Sequence, residues 1–251
     1  MIRHVNRALL AVCGAVLAAC SSTGHNALAT VPPLATTTSV EATAPPSTTA
    51  PASTTTTTAS TVVPGVALSD DGPWTRVDGA PGITTPGLFY ELMPKLWVYL
   101  PTTEDIPHGI TWTFTEKDRP IIEAYLQARL VFFRVTETNP FNLDDPGWAK
   151  WYTDSGASYH AVLSERSARG ERFDRDVGVI LRPVVLGEGR SDTSAIVFDC
   201  MLDGGVWRLP NGSLGADSTP GVIRNGLGAL LGTTNRVWLV SRIANQVEAC
   251  Q

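Results

Sequence analysis

The segment TEKDRPIIEAYLQARLVFFRV (residues 115–135) has the apolar spacing of an amphipathic helix. Ile121, Tyr125 and Phe132 fall on one stripe at helical periodicity. Thr115 precedes the stripe as a candidate N-cap, and acidic residues follow it where the helix dipole favours anions. The pattern predicts a long helix that must bury its stripe against another apolar layer.

A second, shorter helix is predicted to begin at the turn that contains Pro146. It carries Trp148, Trp151 and Tyr152 and ends before Gly156. We interpret these three aromatic residues as core, with a platform for stacking a sugar or a lipid as the alternative.

A third helix is predicted over residues 157–168, ending at Gly170. Its spacing directs Tyr159, Val162 and Leu163 inward. The three helical patterns thus occupy one continuous part of the chain.

After Gly170 the apolar pattern changes to that of strands. The β-branched segments are RDVGVILRPVVL (175–186), SAIVFDCML (194–202), VIRNGLGALL (222–231) and RVWLVSRIANQVEAC (236–250). Turn sequences such as GEGR, DGG and TTN separate them. Strands joined by short turns pair antiparallel, so this half predicts an antiparallel sheet.

Residues 65–114 are rich in proline, glycine and aromatic residues. We predict an irregular extended wrap here, with one extended piece at residues 96–100.

The order of the predicted elements indicates the fold class. Helices that precede strands make an α+β domain, in which N-terminal helices pack on an antiparallel sheet.

The N-terminus has the order of an export signal, because Arg3 and Arg7 precede an apolar run over residues 8–19. That run is shorter than a membrane-spanning helix. LAAC, ending at Cys20, resembles the lipobox of bacterial lipoproteins. The resemblance implies cleavage of a signal peptide of residues 1–19, acylation of the Cys20 thiol, and a membrane anchor on the extracytoplasmic face.

Residues 20–64 are dominated by Thr, Pro, Ser and Ala, and Glu41 is the only charged residue among them. Nothing in this segment has the period of a buried face, so burial cannot offset the entropy of ordering. We predict a disordered tether that holds a domain away from the membrane.

The chain has four cysteines. Cys13 lies in the predicted signal peptide and Cys20 is the predicted lipid site, which leaves Cys200 and Cys250. In an oxidising compartment such a pair is read most simply as a disulfide. Two free thiols and half of a metal site are the alternatives.

Residues 115–251 resemble the nuclear transport factor two-like superfamily, a cone-shaped α+β fold shared with ketosteroid isomerases and polyketide cyclases. The whole chain resembles actinobacterial lipoproteins that carry such a cone on a Thr/Pro stalk, through the lipobox, AYLQA, FDCMLDG and VWLV with a closing cysteine. The resemblance implies a curved sheet and a cavity beneath the helices, where the enzymes of the superfamily place an acid, a histidine or a tyrosine.

Asp199, His160 and Tyr159 are the catalytic candidates that this cavity suggests. Asp199 interrupts an apolar strand, and a carboxyl group in an apolar cup has a raised pKa suited to proton transfer. The competing interpretation is a structural Asp199 that faces solvent or bonds a neighbouring strand. Tyr125, Trp148 and Trp151 are the candidates for ligand contact.

Two functions follow. One is a lipid-anchored binding or accessory module at the cell envelope, which takes a small hydrophobic ligand or an envelope protein. The other is a cofactor-free lyase, isomerase or cyclase that uses a cavity acid. No cofactor or metal is expected, and the formal net charge of −5 argues against nucleic acid as a partner.

Overall fold

The computed structural model describes residues 66–101, 115–153, 158–187, 189–246 and 250, and these form a mixed α+β fold within one compact unit. The predictions for Cys20, the signal peptide and the tether lie outside the described residues. The helices are α1 (Arg119–Thr136), α2 (Gly147–Trp151) and α3 (Ser158–Ala168). The strands are β1 (Thr75–Val77), β2 (Gly87–Met93), β3 (Leu96–Pro101), β4 (Arg172–Asp174), β5 (Val179–Leu181), β6 (Pro183–Val185), β7 (Ser194–Asp203), β8 (Val206–Arg208), β9 (Ile223–Thr234) and β10 (Val237–Asn245).

Eight of these strands form one sheet, in the order β1-β2-β3-β5-β7-β9-β10, with β6 also paired to β7. The strands after α3 pair antiparallel within the sheet, as the short turns predicted. β3 and β5 pair parallel, because the three helices lie between them in the chain. β4 and β8 form a separate two-stranded sheet.

The predicted order of helices before sheet is wrong, since β1, β2 and β3 precede α1. The expectation of an irregular wrap is therefore corrected, because residues 75–101 contain three strands of the main sheet. Alternation explains the result. Leu96, Val98 and Leu100 face the main core, while Trp97 and Tyr99 face a second cluster on the other side of the sheet.

The predicted long helix is confirmed as α1, which crosses one face of the sheet and contacts β6, β7, β9 and β10. Ile121, Ile122 and Leu126 are almost fully buried in the core cluster. The helix begins at Arg119, after a turn, and its start differs from the predicted cap. Thr115 donates its N–H and O–H to the Asp118 carboxylate instead of capping the helix itself.

The two short helices are also confirmed, with one difference in orientation. Trp148 and Tyr152 are buried in the core, whereas Trp151 is half-buried. In α3, Leu163 is buried as predicted and Tyr159 is half-buried. Val162 was predicted to point inward, but it is 51% exposed because its neighbour Leu163 takes the buried side of the helix.

The Cys200–Cys250 disulfide is confirmed on the second face of the sheet, with Cα atoms 5.6 Å apart. Cys200 is the register partner of Gly226 on β9. A Cβ on Gly226 would lie 2.2 Å from the Gln246 carbonyl oxygen and 3.0 Å from the Cys250 sulfur. Glycine at this position therefore leaves room for Gln246 and Cys250 to lie against β9.

Candidate functional site

Asp199 and Tyr125 form a hydrogen-bonded pair between β7 and α1. The Tyr125 hydroxyl donates to Oδ2 of Asp199 at 2.7 Å. Alternation along β7 places Asp199 on the same face as Ala195, Val197 and Met201, which all belong to the main core. The acid of the apolar strand thus points under the helix, and not toward solvent.

A break between β5 and β6 accounts for an acid at this position. Asp199 is the register partner of Pro183, which has no N–H to donate to the ladder. The backbone N–H of Arg182, beside the break, donates instead to Oδ1 of Asp199 at 2.7 Å. Buried backbone donors need an acceptor, and the Asp199 carboxylate supplies it.

A buried cation lies on the same side of α1. The Arg129 guanidinium is 2% exposed and sits over the rings of Phe132 and Phe133, at 4.7 and 4.9 Å from their centroids. Among the residues that the structure describes, its Nε and Nη1 atoms have no hydrogen-bond partner. The Arg129 charge also acts on Tyr152, whose pKa it tends to lower. The Tyr152 hydroxyl donates to the Ala128 carbonyl oxygen at 2.9 Å.

Burial dominates the electrostatics of this cluster. It raises the pKa of the Asp199 carboxyl, although the Arg182 N–H, the Tyr125 hydroxyl and the Arg129 charge each act to lower it. Burial and the Asp199 charge together raise the pKa of Tyr125. Burial likewise raises the pKa of Tyr152. The hydroxyls of both tyrosines are therefore protonated and able to donate.

The Asp199–Tyr125 pair is closed to solvent within the described part of the chain. Both residues have 0% exposure, and so has neighbouring Val197, which means that no water-sized space touches them. A general acid or base must lie within hydrogen-bond reach of its substrate. The carboxyl and hydroxyl of this pair are instead used within the protein.

His160 and Tyr159 are engaged elsewhere. Nε2 of His160 donates to the Leu143 carbonyl oxygen at 2.7 Å, and its ring packs edge-on against Trp148. Tyr159 packs on Phe132, with ring centroids 5.5 Å apart. The hydrogen bond of His160 thus fixes α3 to the segment before α2. The tyrosine that bonds Asp199 is Tyr125, and not Tyr159.

A solvent-accessible cleft of about 330 Å³ lies on the opposite side of α1. It contains three half-buried tryptophans, Trp74, Trp151 and Trp238. The remaining lining residues are Ser69, Asp71, Gly72, Pro120, Glu123, Ala124, Gln127, Arg236 and Val237. We refer to this site as the tryptophan cleft, and its volume is in the range of small-molecule sites.

The segment before β1 builds one wall of the tryptophan cleft. The Ser69 N–H donates to Oε1 of Glu123 on α1 at 2.7 Å, and the Trp74 indole N–H donates to the Ser69 carbonyl oxygen at 2.7 Å. The Trp74 ring lies directly on Gly72, where a Cβ would be 1.9 Å from ring atoms. Gly72 is therefore required for the position of Trp74.

Polar groups with planar ends complete the cleft. Asp71 and Arg236 are exposed and Gln127 is half-exposed. Among the residues that the structure describes, no hydrogen bond or ion pair engages the side chains of these three. Their hydrogen-bonding groups therefore face the cleft and are available to a ligand.

Of the sequence-based candidates, Trp151 lies in the tryptophan cleft, while Tyr125 and Trp148 are buried in the core. Sequence reasoning missed Trp74, Trp238, Gln127 and Arg236. Sequence patterns gave little sign of this group, since its members come from three distant parts of the chain: the segment before β1, α1, and the start of β10. An excess of tryptophan, seven in 251 residues, was the available hint.

Comparisons with known proteins leave the site to be interpreted from its own chemistry. No protein-family model matches the chain, and a search of curated proteins finds no significant match. Within the described part of the chain, no three His, Cys, Asp or Glu side chains are grouped to hold a metal ion. None of the described helices is long and apolar enough to span a membrane.

Proposed function

We propose that this protein is a lipid-anchored, extracytoplasmic binding module that is displayed on a stalk at the cell envelope. Cys20 in its lipobox-like context supports the anchor, and the Thr/Pro-rich composition of residues 20–64 supports the stalk. A small ligand or an envelope partner binds the folded domain, and the tryptophan cleft is its binding site.

The observation that carries this proposal is the contrast in access between the two candidate sites. Asp199, the acid best placed for proton transfer, is fully buried and hydrogen-bonded to Tyr125 and Arg182. The tryptophan cleft is open and presents aromatic faces with unpaired polar groups. Convergent polar groups in an accessible apolar site are the usual mark of ligand binding.

A cofactor-free lyase, isomerase or cyclase is the second candidate. The raised pKa of Asp199 and its 2.7 Å hydrogen bond to Tyr125 are features that such an enzyme uses. For this function, the helices over Asp199 would have to separate and admit a substrate.

At the level of the fold, we propose a relationship to the nuclear transport factor two-like cone. A long helix across one face of a mainly antiparallel sheet supports it. Three strands before the first helix and the parallel β3–β5 pair are departures from the order expected for the cone.

The anchor is tested by the substitution Cys20→Ala. The exported variant should appear in the medium or remain unprocessed, whereas the wild-type protein partitions into detergent and incorporates a labelled fatty acid. Cys13→Ala is the matched control and should behave as wild type. Membrane retention of a normally cleaved Cys20→Ala protein would contradict the anchor.

The binding site is tested by comparing Asp199→Asn with Trp151→Ala in the full chain carrying Cys20→Ala. Co-sedimentation with purified cell envelope should be weakened by Trp151→Ala and unchanged by Asp199→Asn. Trp207→Ala, which removes a half-buried tryptophan outside the cleft, controls for lost packing. A turnover that Asp199→Asn abolishes, with folding and affinity intact, would replace the binding module by the enzyme.

A further inference from the structure

The geometry points to a saccharide as the ligand of the tryptophan cleft, held by stacking of a pyranose ring on indole faces and by hydrogen bonds from the hydroxyls of the ring. This inference rests on the proposed function, because it identifies the ligand class of the same site. It is carried by the combination of three tryptophans with four planar polar side chains in one open cleft.

The aromatic half of the cleft suits a ring that is apolar on its faces. Trp74, Trp151 and Trp238 come from the segment before β1, from α2 and from β10, so their indoles surround the ligand space from three elements. The face of an indole is electron-rich, and it attracts the slightly positive C–H groups on the face of a sugar. The rigid packing of Trp74 on Gly72 holds one of these surfaces in place.

The polar half of the cleft suits hydroxyl groups. Asp71 and Glu123 offer carboxylates, Gln127 an amide and Arg236 a guanidinium, which together both accept and donate hydrogen bonds. A sugar hydroxyl is also a donor and an acceptor. Planar groups of this kind can engage two adjacent hydroxyls at once, as a guanidinium engages two oxygens of a carboxylate.

Two other ligand classes fit these groups less well. A quaternary ammonium ion would use the aromatic faces, but Arg236 lies in the same lining and the Lys150 ammonium already sits 4.9 Å from the ring centroid of Trp151. A purely aliphatic ligand would remove water from Asp71, Gln127 and Arg236 without offering a hydrogen bond, which is unfavourable. A saccharide satisfies both halves of the cleft.

The backbone at Arg236 is an independent indication of a role for its side chain. Asn235 and Arg236 form the two-residue turn between β9 and β10, with φ of 52° and 66°. Such turns favour glycine at the second position, because a side chain is strained at positive φ. Residues held in strained conformations cluster at ligand sites, and Arg236 faces the cleft from this turn.

The test is calorimetric titration of the full-length protein in detergent micelles with neutral trisaccharides, namely maltotriose, cellotriose and chitotriose. At least one should bind, and Trp238→Ala should weaken it by about tenfold because one aromatic surface is lost. Arg236→Asn, which tolerates the turn and removes the guanidinium, should also weaken binding. Choline chloride and a short fatty acid are the comparison ligands.

A pair of glycine variants separates local geometry from stability. Gly72→Ala drives the Trp74 ring out of the cleft wall and should lower saccharide affinity. Gly79→Ala, in the same part of the chain, places its methyl group in open space and should bind as wild type. Circular dichroism and thermal unfolding of each variant show whether the domain remains folded.

The outcomes distinguish this inference from the proposed function. Trisaccharide binding that Trp238→Ala and Gly72→Ala both weaken, in folded proteins, supports the saccharide. Binding of choline or fatty acid alone, or trisaccharide binding that no cleft variant changes, overturns it. If no trisaccharide binds while Trp151→Ala still reduces co-sedimentation with envelope, the saccharide is rejected and the binding module stands.

Discussion

The Asp199–Tyr125 pair and the tryptophan cleft lie on opposite sides of α1, and both combine polar with aromatic groups. In the pair, every polar atom of the Asp199 carboxylate has a partner inside the protein. In the cleft, Asp71, Gln127 and Arg236 have none among the described residues. Access to solvent therefore separates a polar group that supports the fold from one that is available to a ligand.

Removal of the disulfide, which lies on the other face of the sheet from the Asp199–Tyr125 pair, should have the largest effect on stability. The bond closes a sequence separation of 50 residues, and in the chain-entropy model such a loop is worth about 4 kcal/mol of unfolding free energy. We expect the double variant Cys200→Ala/Cys250→Ala to lose about this amount in urea unfolding. Affinity at the cleft should be unchanged.

Reduction of the wild-type protein is the control for the cysteine variant. Dithiothreitol should lower its unfolding midpoint, and the double variant should not respond to it. A midpoint that is insensitive to the reductant would show that the bond contributes little to stability.

Asp199→Ala should cost about 3 kcal/mol of unfolding free energy. It leaves the buried Tyr125 hydroxyl and the partly buried Arg182 N–H without the Asp199 acceptor, and such donors carry a desolvation cost. Asp199→Asn retains an amide oxygen and should lose clearly less. Ligand affinity at the cleft should be the same in both variants. Loss of binding in the folded Asn variant would remove the distinction between the two sites.

The pH dependence of stability isolates the Asp199 carboxyl. Because burial raises its pKa in the folded state, the folded protein binds this proton more tightly than the unfolded chain does. The contribution of Asp199 to stability is therefore greatest at acid pH. It falls as the pH rises from the unfolded value of about 3.9 through the folded pKa.

The measurement is the difference in unfolding free energy between the wild-type protein and Asp199→Asn over a pH series. As the pH rises through this window, the wild-type protein should lose stability relative to Asp199→Asn. Above the folded pKa of Asp199, the difference should be constant. Carboxyls with opposite behaviour, such as Asp145, whose pKa the hydrogen bond from Arg134 lowers, are present in both proteins and cancel. A difference that does not vary with pH would contradict the raised pKa.

The smallest effect is expected on the cleft side, for Arg236→Gly. Glycine relieves a positive φ of 66°, so unfolding free energy should rise by about 0.5 kcal/mol after the entropy cost of glycine is subtracted. Affinity for the cleft ligand should fall at the same time. Asp217 also has a positive φ, and unlike Gly212 it is not a glycine. Asp217→Gly is therefore a matched control outside the cleft, and it should change stability without changing affinity.

Local patterns determined much of this fold. The 3.6-residue period of residues 119–136 and the apolar, β-branched composition of residues 194–203 predict α1 and β7 without reference to the rest of the chain. The cysteine inventory, read with the export signal, predicts the Cys200–Cys250 bond. These features depend on neighbouring residues or on simple counting, and sequence alone contains that information.

Tertiary structure decided what long-range pairing controls. β3 joins β5, about eighty residues later in the chain, and this pairing connects residues 75–101 to the rest of the sheet. Asp199 is structural because Pro183, on another strand, leaves a backbone donor to be satisfied. The tryptophan cleft assembles Trp74, Trp151 and Trp238 from three distant segments. Periodicity describes neighbours along the chain, whereas burial and proximity depend on which segments the whole fold brings together.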